Sequence, residues 1–419
     1  MFETIKNAWR IPDLRRKILF TVVMLIVFRI GSFIPVPGLS AEALSQIAAS
    51  NDLLALFNTI TGGAFAQAAI FAMGISPYIN ASIIVQLLTV AIPKLEQLNK
   101  EGEEGRKIVQ QYVRYGAVVL GFLQSVGLYF TLRTAVKTPG IMNFIVITLT
   151  FTAGTAFLMW LGEQITERGI GNGISLIIFT GILSRIPVTI TALFEQYKVN
   201  QLGIGGIVGI LIVTLAVIAG VVWMQEAERR IPVQYAKRVV GRKMYGGQST
   251  HIPIKVNMAS VIPIIFAVSL LAFPATIIRF FVNPTPGTWL YAITNMQSSP
   301  WYALIYALLV IFFTFFYTVM IFNPVEIANT IKKNGGFIPG IRPGKPTSDY
   351  ISKALNRVTW IGALFLAFVA AFPIVMQKFT KLSVWFGSTS ILIVVGVAIE
   401  TVRQIESQML MRHYKGFLE

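Results

Sequence analysis

The feature that most constrains this chain is a series of about ten apolar segments, each about 20 residues long, the length of helix that crosses the hydrocarbon core of a bilayer. Charged residues make up only 13% of the chain and the mean hydropathy is +0.69, whereas soluble domains carry about 25% charged residues. The sequence therefore predicts an all-α, polytopic membrane protein with ten transmembrane helices. The predicted spans are residues 18–38, 71–92, 113–133, 143–162, 173–194, 203–225, 257–280, 302–323, 357–376 and 384–403.

The distribution of basic residues predicts the orientation of these spans. The chain carries 35 Lys and Arg against 18 Asp and Glu, a net charge of +17. Most of the Lys and Arg residues fall in alternate segments between spans, beginning with the N-terminal segment. Because cytoplasmic loops are enriched in these residues, both termini are predicted to be cytoplasmic, which agrees with an even number of spans. The net charge is then mostly topological and does not by itself indicate nucleic-acid binding.

Two of the predicted cytoplasmic loops, residues 226–255 and 326–357, are basic and too long for simple turns. We expect them to project from the membrane as docking surfaces for a partner. The alternative is that they are solvated loops whose charge only sets the topology.

The stretch Leu53–Gln67 is apolar but too short to cross a membrane, and Gly62-Gly63 interrupts it. This pattern predicts a re-entrant or half-helical segment, which lipid tolerates only where the backbone is buried in protein or lines a cavity. An interfacial loop is the alternative.

The predicted spans lack the residues that an aspartyl protease, a histidine-ligated zinc protease or an Asp-based proton relay within a membrane requires. All three aspartates and both histidines lie outside the predicted spans, and cysteine is absent. The stretch Gly340–Asp349 lacks the first glycine and the final hydroxyl residue of a Walker phosphate loop. We therefore expect a conduit and not an enzyme, with no cofactor and no metal. Arg29 is the deepest charge, and either a functional site or a structural pairing between helices would explain it.

Five predicted spans precede Lys198 and five follow it. An inverted pair of five-span halves, residues 1–197 and 198–419, is a frequent plan for proteins that pass something across a membrane. The span count alone is weak evidence for that plan.

Seven segments with distinctive sequences follow one another along nearly the whole chain. They are FRIGSFIPVPG (Phe28–Gly38), FAMGISPYINASIIVQLLT (Phe71–Thr89), EGEEGRK (Glu101–Lys107), MWLGEQITERGIGNGIS (Met159–Ser175), QSTHIPIKVNMASVIPIIFA (Gln248–Ala267), FNPVEIANTIKKNGGFIPGIRPG (Phe322–Gly344) and GSTSILIVV (Gly387–Val395). In this order they resemble the SecY family, the central channel subunits of the bacterial Sec protein translocase.

The resemblance implies ten helices in two pseudo-symmetric five-helix halves around a central, hourglass-shaped pore. It also implies a ring of apolar side chains at the narrowest point, where stiff β-branched residues would form a dry constriction. The matching positions are Ile75, Ile79, Ile174, Ile178, Ile265 and Ile393. Ordinary helix packing remains the expectation for Ile83, one turn beyond Ile79.

The resemblance further assigns Leu53–Gln67 as a plug that closes the pore from outside. It assigns Phe71–Thr89 and Met258–Ile278 as the two helices of a lateral gate that releases apolar segments into lipid. The implied plug residues are Phe57, Thr61, Gly62, Gly63 and Phe65, and the implied gate residues are Asn80, Gln86, Asn172 and Asn257. The alternative for the polar gate residues is hydrogen bonding between helices, worth about 0.6 kcal/mol each, with no gating role.

The two long loops match the family's docking site for the ribosome or the SecA motor ATPase. The implied docking residues are Arg229, Arg230, Arg242, Lys243 and Arg342. By the same resemblance, the chain would translocate unfolded secretory polypeptides across the bacterial plasma membrane, recognise their signal sequences and release transmembrane segments into membrane lipid. Its expected partner subunits are SecE and SecG.

The alternatives to a channel are a secondary transporter and a membrane-embedded enzyme. A secondary transporter for a small solute would need charged or ion-coordinating groups at the midplane, and the spans offer little beyond Arg29. A membrane-embedded enzyme is disfavoured by the missing Asp and His residues.

Overall fold

The computed structural model describes residues 2–50, 58, 61–198, 203–235, 238–240, 243–245, 249–281, 288–296, 299–380 and 388–415. These residues are mostly helical and divide into two compact units. The first unit comprises Met1–Ile207, Val268–Tyr302 and Ile393–Glu419, and the second comprises Val208–Ala267 and Ala303–Leu392. The proposed division into halves at residues 197 and 198 stays a prediction.

The helices, in chain order, are α1 (Phe2–Arg10), α2 (Pro12–Gly31), α3 (Ala41–Ser50), α4 (Ser76–Ala91), α5 (Pro93–Lys100), α6 (Glu103–Thr131), α7 (Ile141–Arg168), α8 (Gly173–Leu183), α9 (Ile186–Lys198), α10 (Ile204–Glu226), α11 (Ile262–Phe281), α12 (Trp289–Thr294), α13 (Tyr302–Ile321), α14 (Pro324–Lys333), α15 (Lys345–Thr380) and α16 (Ser388–Lys415). A 3₁₀ turn at Arg133–Ala135 lies between α6 and α7. The strands are β1 (Glu228–Tyr235), β2 (Arg238–Val240), β3 (Lys243–Tyr245), β4 (Ser249–Lys255) and β5 (Gly336–Phe337).

Each of the ten predicted spans overlaps one of these helices. Within the described residues, six helices are long and apolar enough to cross a membrane, or up to seven if α4 and α5, which meet at a bend of 106°, form one span. The all-α, polytopic class is thus confirmed, and the count of ten transmembrane helices stays a prediction.

The helix boundaries follow local capping chemistry. The side chain of Asn323 accepts hydrogen bonds from the backbone N–H groups of Val325 and Glu326, which would otherwise lack partners at the start of α14. Pro324 occupies the first turn, where its missing N–H costs nothing, and Gly335 follows the helix at φ +70°.

Several predicted boundaries are wrong by several residues, among them the starts at residues 71 and 257 and the end at residue 38; the helix of the span 257–280 starts at Ile262. The apolar run that suggested a span from residue 71 begins with turns, and α4 starts at Ser76 because Gly74 takes φ +57° and Pro77 lies in the first helical turn. The run that suggested a span to residue 38 stops being helical at Gly31.

Small residues allow the helices of the first unit to approach closely. The apolar core between α4, α6 and α7 is built from Ala81, Val85, Val113, Ala117 and Met159. In lipid, where apolar side chains gain nothing by leaving the solvent, such close packing is a main source of helix association.

The second unit carries a three-stranded antiparallel sheet in the order β4-β1-β5. Burial alternates along β1, with Ile231 and Val233 buried and their neighbours exposed or part-buried, as expected of a strand with one face on a core. That face packs on α14 and the first turns of α15. The buried core residues are Ile231, Val233, Ile254, Ile331, Ile338, Ile351, Ala354, Leu355 and Val358.

Candidate functional site

Residues 61–75, which we call the turn segment, directly precede α4. They form a series of turns with no regular helix or strand. Most of its side chains are buried, including Thr61 and Phe65. Three of its glycines, Gly62, Gly63 and Gly74, have φ between +57° and +92°, a region that other residues rarely enter. The turn segment is thus a stretch of irregular backbone enclosed by protein.

Its first part is held by a cationic side chain from the last turn of α2. The Arg29 Nη1 atom donates a 2.9 Å hydrogen bond to the carbonyl oxygen of Gly62, and the Arg29 guanidinium lies 4.5 Å from the centre of the Phe33 ring. The Ser184 hydroxyl lies 3.3 Å from the same oxygen. The structure therefore gives the deepest charge of the sequence a specific acceptor in the turn segment.

Its second part is paired to the chain that follows α2. The Val36 N–H donates to the Ala68 carbonyl at 2.8 Å, and the Ile70 N–H donates to the Ile34 carbonyl at 3.0 Å. These bonds satisfy backbone groups that a bilayer could not satisfy.

Apolar packing encloses the same stretch. Phe65 belongs to a buried cluster with residues of α3, α6 and α7. At Gly154 on α7 the absence of a side chain lets the helix contact the Ile70 carbonyl directly. The predicted plug residues Thr61, Gly62, Gly63 and Phe65 therefore lie together in the turn segment, whereas Phe57 lies outside the described residues.

The six isoleucines of the predicted pore ring all fall in described helices or at their ends. Ile75, Ile178 and Ile393 are buried, and Ile79, Ile174 and Ile265 are partly buried. Part of the Ile174 side chain packs on Gly162 of α7. Five of the six belong to the first unit and Ile265 belongs to the second, so the ring as a whole stays a prediction.

Two of the predicted gate residues lie in or beside helices of the first unit. Asn172 caps α8, because its side chain accepts a hydrogen bond from the Ser175 N–H at 3.2 Å. This cap was not predicted, although the sequence Asn-Gly-Ile-Ser could have indicated it. Asn80 lies one turn into α4 and is partly buried.

The other two gate residues carry polar atoms whose bonding is incomplete. Gln86 donates from Nε2 to the Ser82 hydroxyl at 3.2 Å. Its Oε1 atom, and the Oδ1 atom of Asn257, are buried with no hydrogen-bond partner among the described residues. Buried polar atoms of this kind are costly, and they are often retained for a partner or a second conformation.

The two long loops that were predicted separately as docking surfaces join in one sheet. Strand β1 of the first loop pairs with β5 of the second, with Gln234 opposite Phe337 and Tyr235 opposite Gly336. Residues about 100 positions apart in sequence thus share one scaffold, which the sequence patterns did not reveal.

Two of the predicted docking residues, Arg229 and Arg230, lie on this scaffold. Arg229 and Arg230 lie exposed on β1, and Arg230 Nε donates to Glu228 Oε1 at 2.7 Å. Arg342 is exposed in a turn in which its carbonyl oxygen accepts from the Thr347 hydroxyl at 2.9 Å. Lys243 lies on β3, and Arg242 lies outside the described residues.

An ion pair joins two helices of the first unit. Glu163 of α7 is buried, and its Oε1 atom accepts from Arg114 Nε at 2.6 Å, with Gln110 Nε2 at 3.5 Å. The pair joins α6 to α7, the neighbours of α4.

Comparisons with known proteins agree with this architecture. A sequence profile of the SecY family matches residues 69–402. The protein translocase subunit SecY of Halalkalibacterium halodurans is 49% identical over 432 residues, covering 100% of both chains, and that of Escherichia coli K12 is 46% identical, covering 100% of this chain and 96% of the relative.

Solved channel structures share the fold. One is a SecY channel whose plug domain stabilises the closed state of the translocation channel and maintains a membrane seal; it has a TM-score of 0.68 at 20% identity and covers 94% of this chain and 92% of its own. Another is Sec61 in the canine ribosome–channel complex, with a TM-score of 0.63 at 18% identity and the same coverage.

Proposed function

The chain belongs to the SecY family of protein translocase subunits, and from this premise we propose which of its residues form the parts of the channel. Membership makes it a multi-pass membrane protein and a protein-conducting channel subunit. The observation that carries the assignment of parts is the turn segment. Irregular backbone within a membrane protein must be buried in protein or line a cavity, and this segment is buried among helices.

The first part of the turn segment, residues 61–67, belongs to the plug, residues 53–67, which seals the resting channel. The seal attributed to the plug of a solved SecY channel supports this assignment. The burial of Phe65 is consistent with a closed state, because moving the segment away would expose that ring.

A ring of six isoleucines forms the constriction that the plug covers. Apolar side chains without hydrogen-bonding groups make a narrow passage unfavourable for water and ions. The passage would then admit an extended polypeptide only after the plug has moved. Both halves of the chain, residues 1–197 and 198–419, contribute ring residues.

The lateral gate lies between α4 and α11, through which transmembrane segments and signal sequences reach lipid. Support comes from the buried Gln86 Oε1 and Asn257 Oδ1 atoms, which lack partners among the described residues. Polar atoms held in this way can exchange partners when helices separate.

The β4-β1-β5 sheet and the turn at Arg342 form the docking surface on the cytoplasmic side of the bacterial plasma membrane. Exposed arginines suit carboxylate and phosphate groups, which guanidinium binds in pairs of hydrogen bonds. The ribosome-bound Sec61 relative supports a ribosome as one partner. The SecA motor is the other partner of this surface, SecE and SecG are the partner subunits of the channel, and the chain itself is not an enzyme.

The ring assignment is tested by the resting ion conductance of reconstituted channels. Replacing Ile79 or Ile265 by Asn places donors and acceptors at the constriction, so we expect resting conductance to rise by about tenfold. Ile83→Asn is the matched control, because Ile83 lies one turn away on α4 and is buried. Unchanged conductance in both ring variants, or an equal rise with Ile83→Asn, would refute the assignment.

A further inference from the structure

The hydrogen bond from Arg29 to Gly62 has features that ordinary helix packing does not require. Within the described residues, neither Arg29 nor its neighbour Arg185 makes an ion pair with a carboxylate. Arg185 approaches Gly63, where its Nη1 atom lies 3.3 Å from the position that a Cβ would occupy. Two cationic groups therefore flank the Gly62-Gly63 turn, and one of them uses a backbone carbonyl of the turn segment as its acceptor.

The geometry of Gly62 makes this contact possible. The residue has φ +67°, and a Cβ there would lie 2.8 Å from Ser184 Oγ and 2.9 Å from the Gly181 Cα atom. Only glycine can combine this backbone conformation with such close contact to α8. The turn is thus shaped to present its carbonyl oxygen toward α2.

Arg29 is the principal donor to that oxygen. The Ser184 hydroxyl has a single proton and lies 2.7 Å from the Gly181 carbonyl but 3.3 Å from the Gly62 carbonyl. The shorter contact takes the proton, as in other serines that bond back to their own helix. The charged guanidinium at 2.9 Å remains as the stronger bond, because a charged donor strengthens a hydrogen bond.

The two parts of the turn segment are anchored in different ways. Residues 68 and 70 are fixed by backbone hydrogen bonds to residues 36 and 34. By contrast, the bonds that Asn58 makes to the N–H groups of Gly63 and Ala66 lie within the proposed plug and would move with it. At Gly62, the Arg29 side chain of α2 holds the part of the plug that must leave.

We propose that Arg29 is the latch of the plug: its guanidinium holds the Gly62 carbonyl in the closed channel and releases it on opening. This inference rests on the proposed function, because it assumes that the segment around Gly62 moves. Residues 68–70 then act as the fixed end about which the segment swings, and Arg29 determines how often the resting plug leaves its seat.

The test uses one cysteine introduced at a buried position of the turn segment. Its accessibility to a water-soluble reagent reports how often the plug leaves its closed position. The chain has no natural cysteine, and Ala64, in the turn segment, is 1% exposed. The full-length protein with Ala64→Cys is reconstituted in proteoliposomes, and its reaction rate with a small water-soluble maleimide is measured with Arg29, Arg29→Gln and Arg29→Lys. We expect about tenfold faster labelling with Arg29→Gln and an intermediate rate with Arg29→Lys, which retains a charged donor.

Two controls separate a latch from a general structural role. Arg185→Gln removes the other cation, which donates no hydrogen bond to Gly62, and should leave the Ala64→Cys rate within about twofold of the parent. Ala117→Cys reports on the core of α4, α6 and α7, where Ala117 is also 1% exposed, and should stay unreactive in the Arg29→Gln background.

The possible outcomes decide the proposal. Equal Ala64→Cys rates with Arg29 and Arg29→Gln, or an equal increase with Arg185→Gln, would overturn it. Faster labelling of both cysteines would show that Arg29 stabilises the whole unit, and would overturn it too. If Arg29→Gln does not insert, Arg29→Lys decides, since an unchanged rate in that variant contradicts a latch that depends on guanidinium geometry. The assay needs no pre-protein, so its failure leaves the channel assignment standing, whereas failure of the ring variants leaves this result unaffected.

Discussion

The turn segment and the β4-β1-β5 sheet are both non-helical, but they satisfy their backbone groups in different ways. In the sheet, β1 and β4 pair over seven consecutive positions. The turn segment has no such run of paired backbone hydrogen bonds. It depends on isolated backbone hydrogen bonds, on three glycines at positive φ and on the charged side chain of Arg29.

The difference follows from the surroundings of each region. A sheet exposed to water can leave its outer face and edges to the solvent, so a register and one apolar face are sufficient. A segment buried within a membrane protein has no water to satisfy it, and each carbonyl needs its own donor. We therefore expect the turn segment to depend on close contacts at single atoms and the sheet to depend on its shared core.

The largest effect is expected where α7 contacts the turn segment. An added Cβ at Gly154 would collide with the Ile70 carbonyl oxygen, so Gly154→Ala must displace either the helix or the segment. We expect a loss of about 3 kcal/mol in stability and little correctly folded protein, measured by thermal unfolding in detergent.

The matched control for this variant is Gly209→Ala in the second turn of α10. Within the described residues, no atom lies within 4 Å of a Cβ at Gly209. The change should be neutral or slightly stabilising, since Ala favours helix more than Gly does. Similar melting of the two variants would contradict the claim that single contacts support the turn segment.

A smaller effect is expected when the core of the sheet is reduced. Ile254 is fully buried at 0% exposure, so Ile254→Ala should destabilise the sheet by about 2 kcal/mol, the lower end of the usual cost of such a change. Hydrogen exchange of the β1 amides should become at least about 30-fold faster, while exchange in α6 and α7 stays unchanged.

Thr250→Ala on the same strand is the control, because Thr250 is exposed. Its effect on exchange should stay below about fivefold. If Ile254→Ala behaved like this control, the sheet would not depend on the core that we assign to it.

The sequence was sufficient to locate the long apolar helices, because lipid imposes a long apolar run on any segment that crosses it. The run from Ile204 to Glu226 is an example, and it forms one helix. The start of α4 could not be located in this way. It depends on Gly74, where an added Cβ would lie 2.9 Å from Thr61, a contact that no local pattern reveals.

The candidate site was predicted less completely, for a similar reason. Hydropathy indicated that Arg29 was unusual, but its acceptor lies 33 residues away and is a backbone atom, which sequence patterns do not mark. The pairing of β1 with β5 was equally hidden, because β5 has only two residues and no alternating pattern to detect.

Two ion pairs, one in the helical bundle and one on the sheet, allow the effect of burial on stability to be compared. Arg114 Nε lies 2.6 Å from Glu163 Oε1 in the helical bundle, and Arg230 Nε lies 2.7 Å from Glu228 Oε1 on the sheet. The atoms and distances are nearly the same. The side chains are 38% and 10% exposed in the first pair but 65% and 27% exposed in the second, so burial is the main difference.

The smallest effect is therefore expected from Arg230→Ala, and a larger one from Arg114→Ala. Removing Arg114 leaves the Glu163 carboxylate buried without its cation, which should cost about 1–3 kcal/mol, less than a fully buried pair because Arg114 is partly exposed. Removing Arg230 should change stability by less than about 0.5 kcal/mol, because water and salt already screen that pair.

Hydrogen exchange measures both changes in stability, in α7 for Arg114→Ala and in β1 for Arg230→Ala. Equal effects would mean that burial does not distinguish the two regions. A neutral Arg230→Ala that nevertheless weakened ribosome binding would mean that the exposed arginines contribute to partner recognition and not to the stability of the sheet.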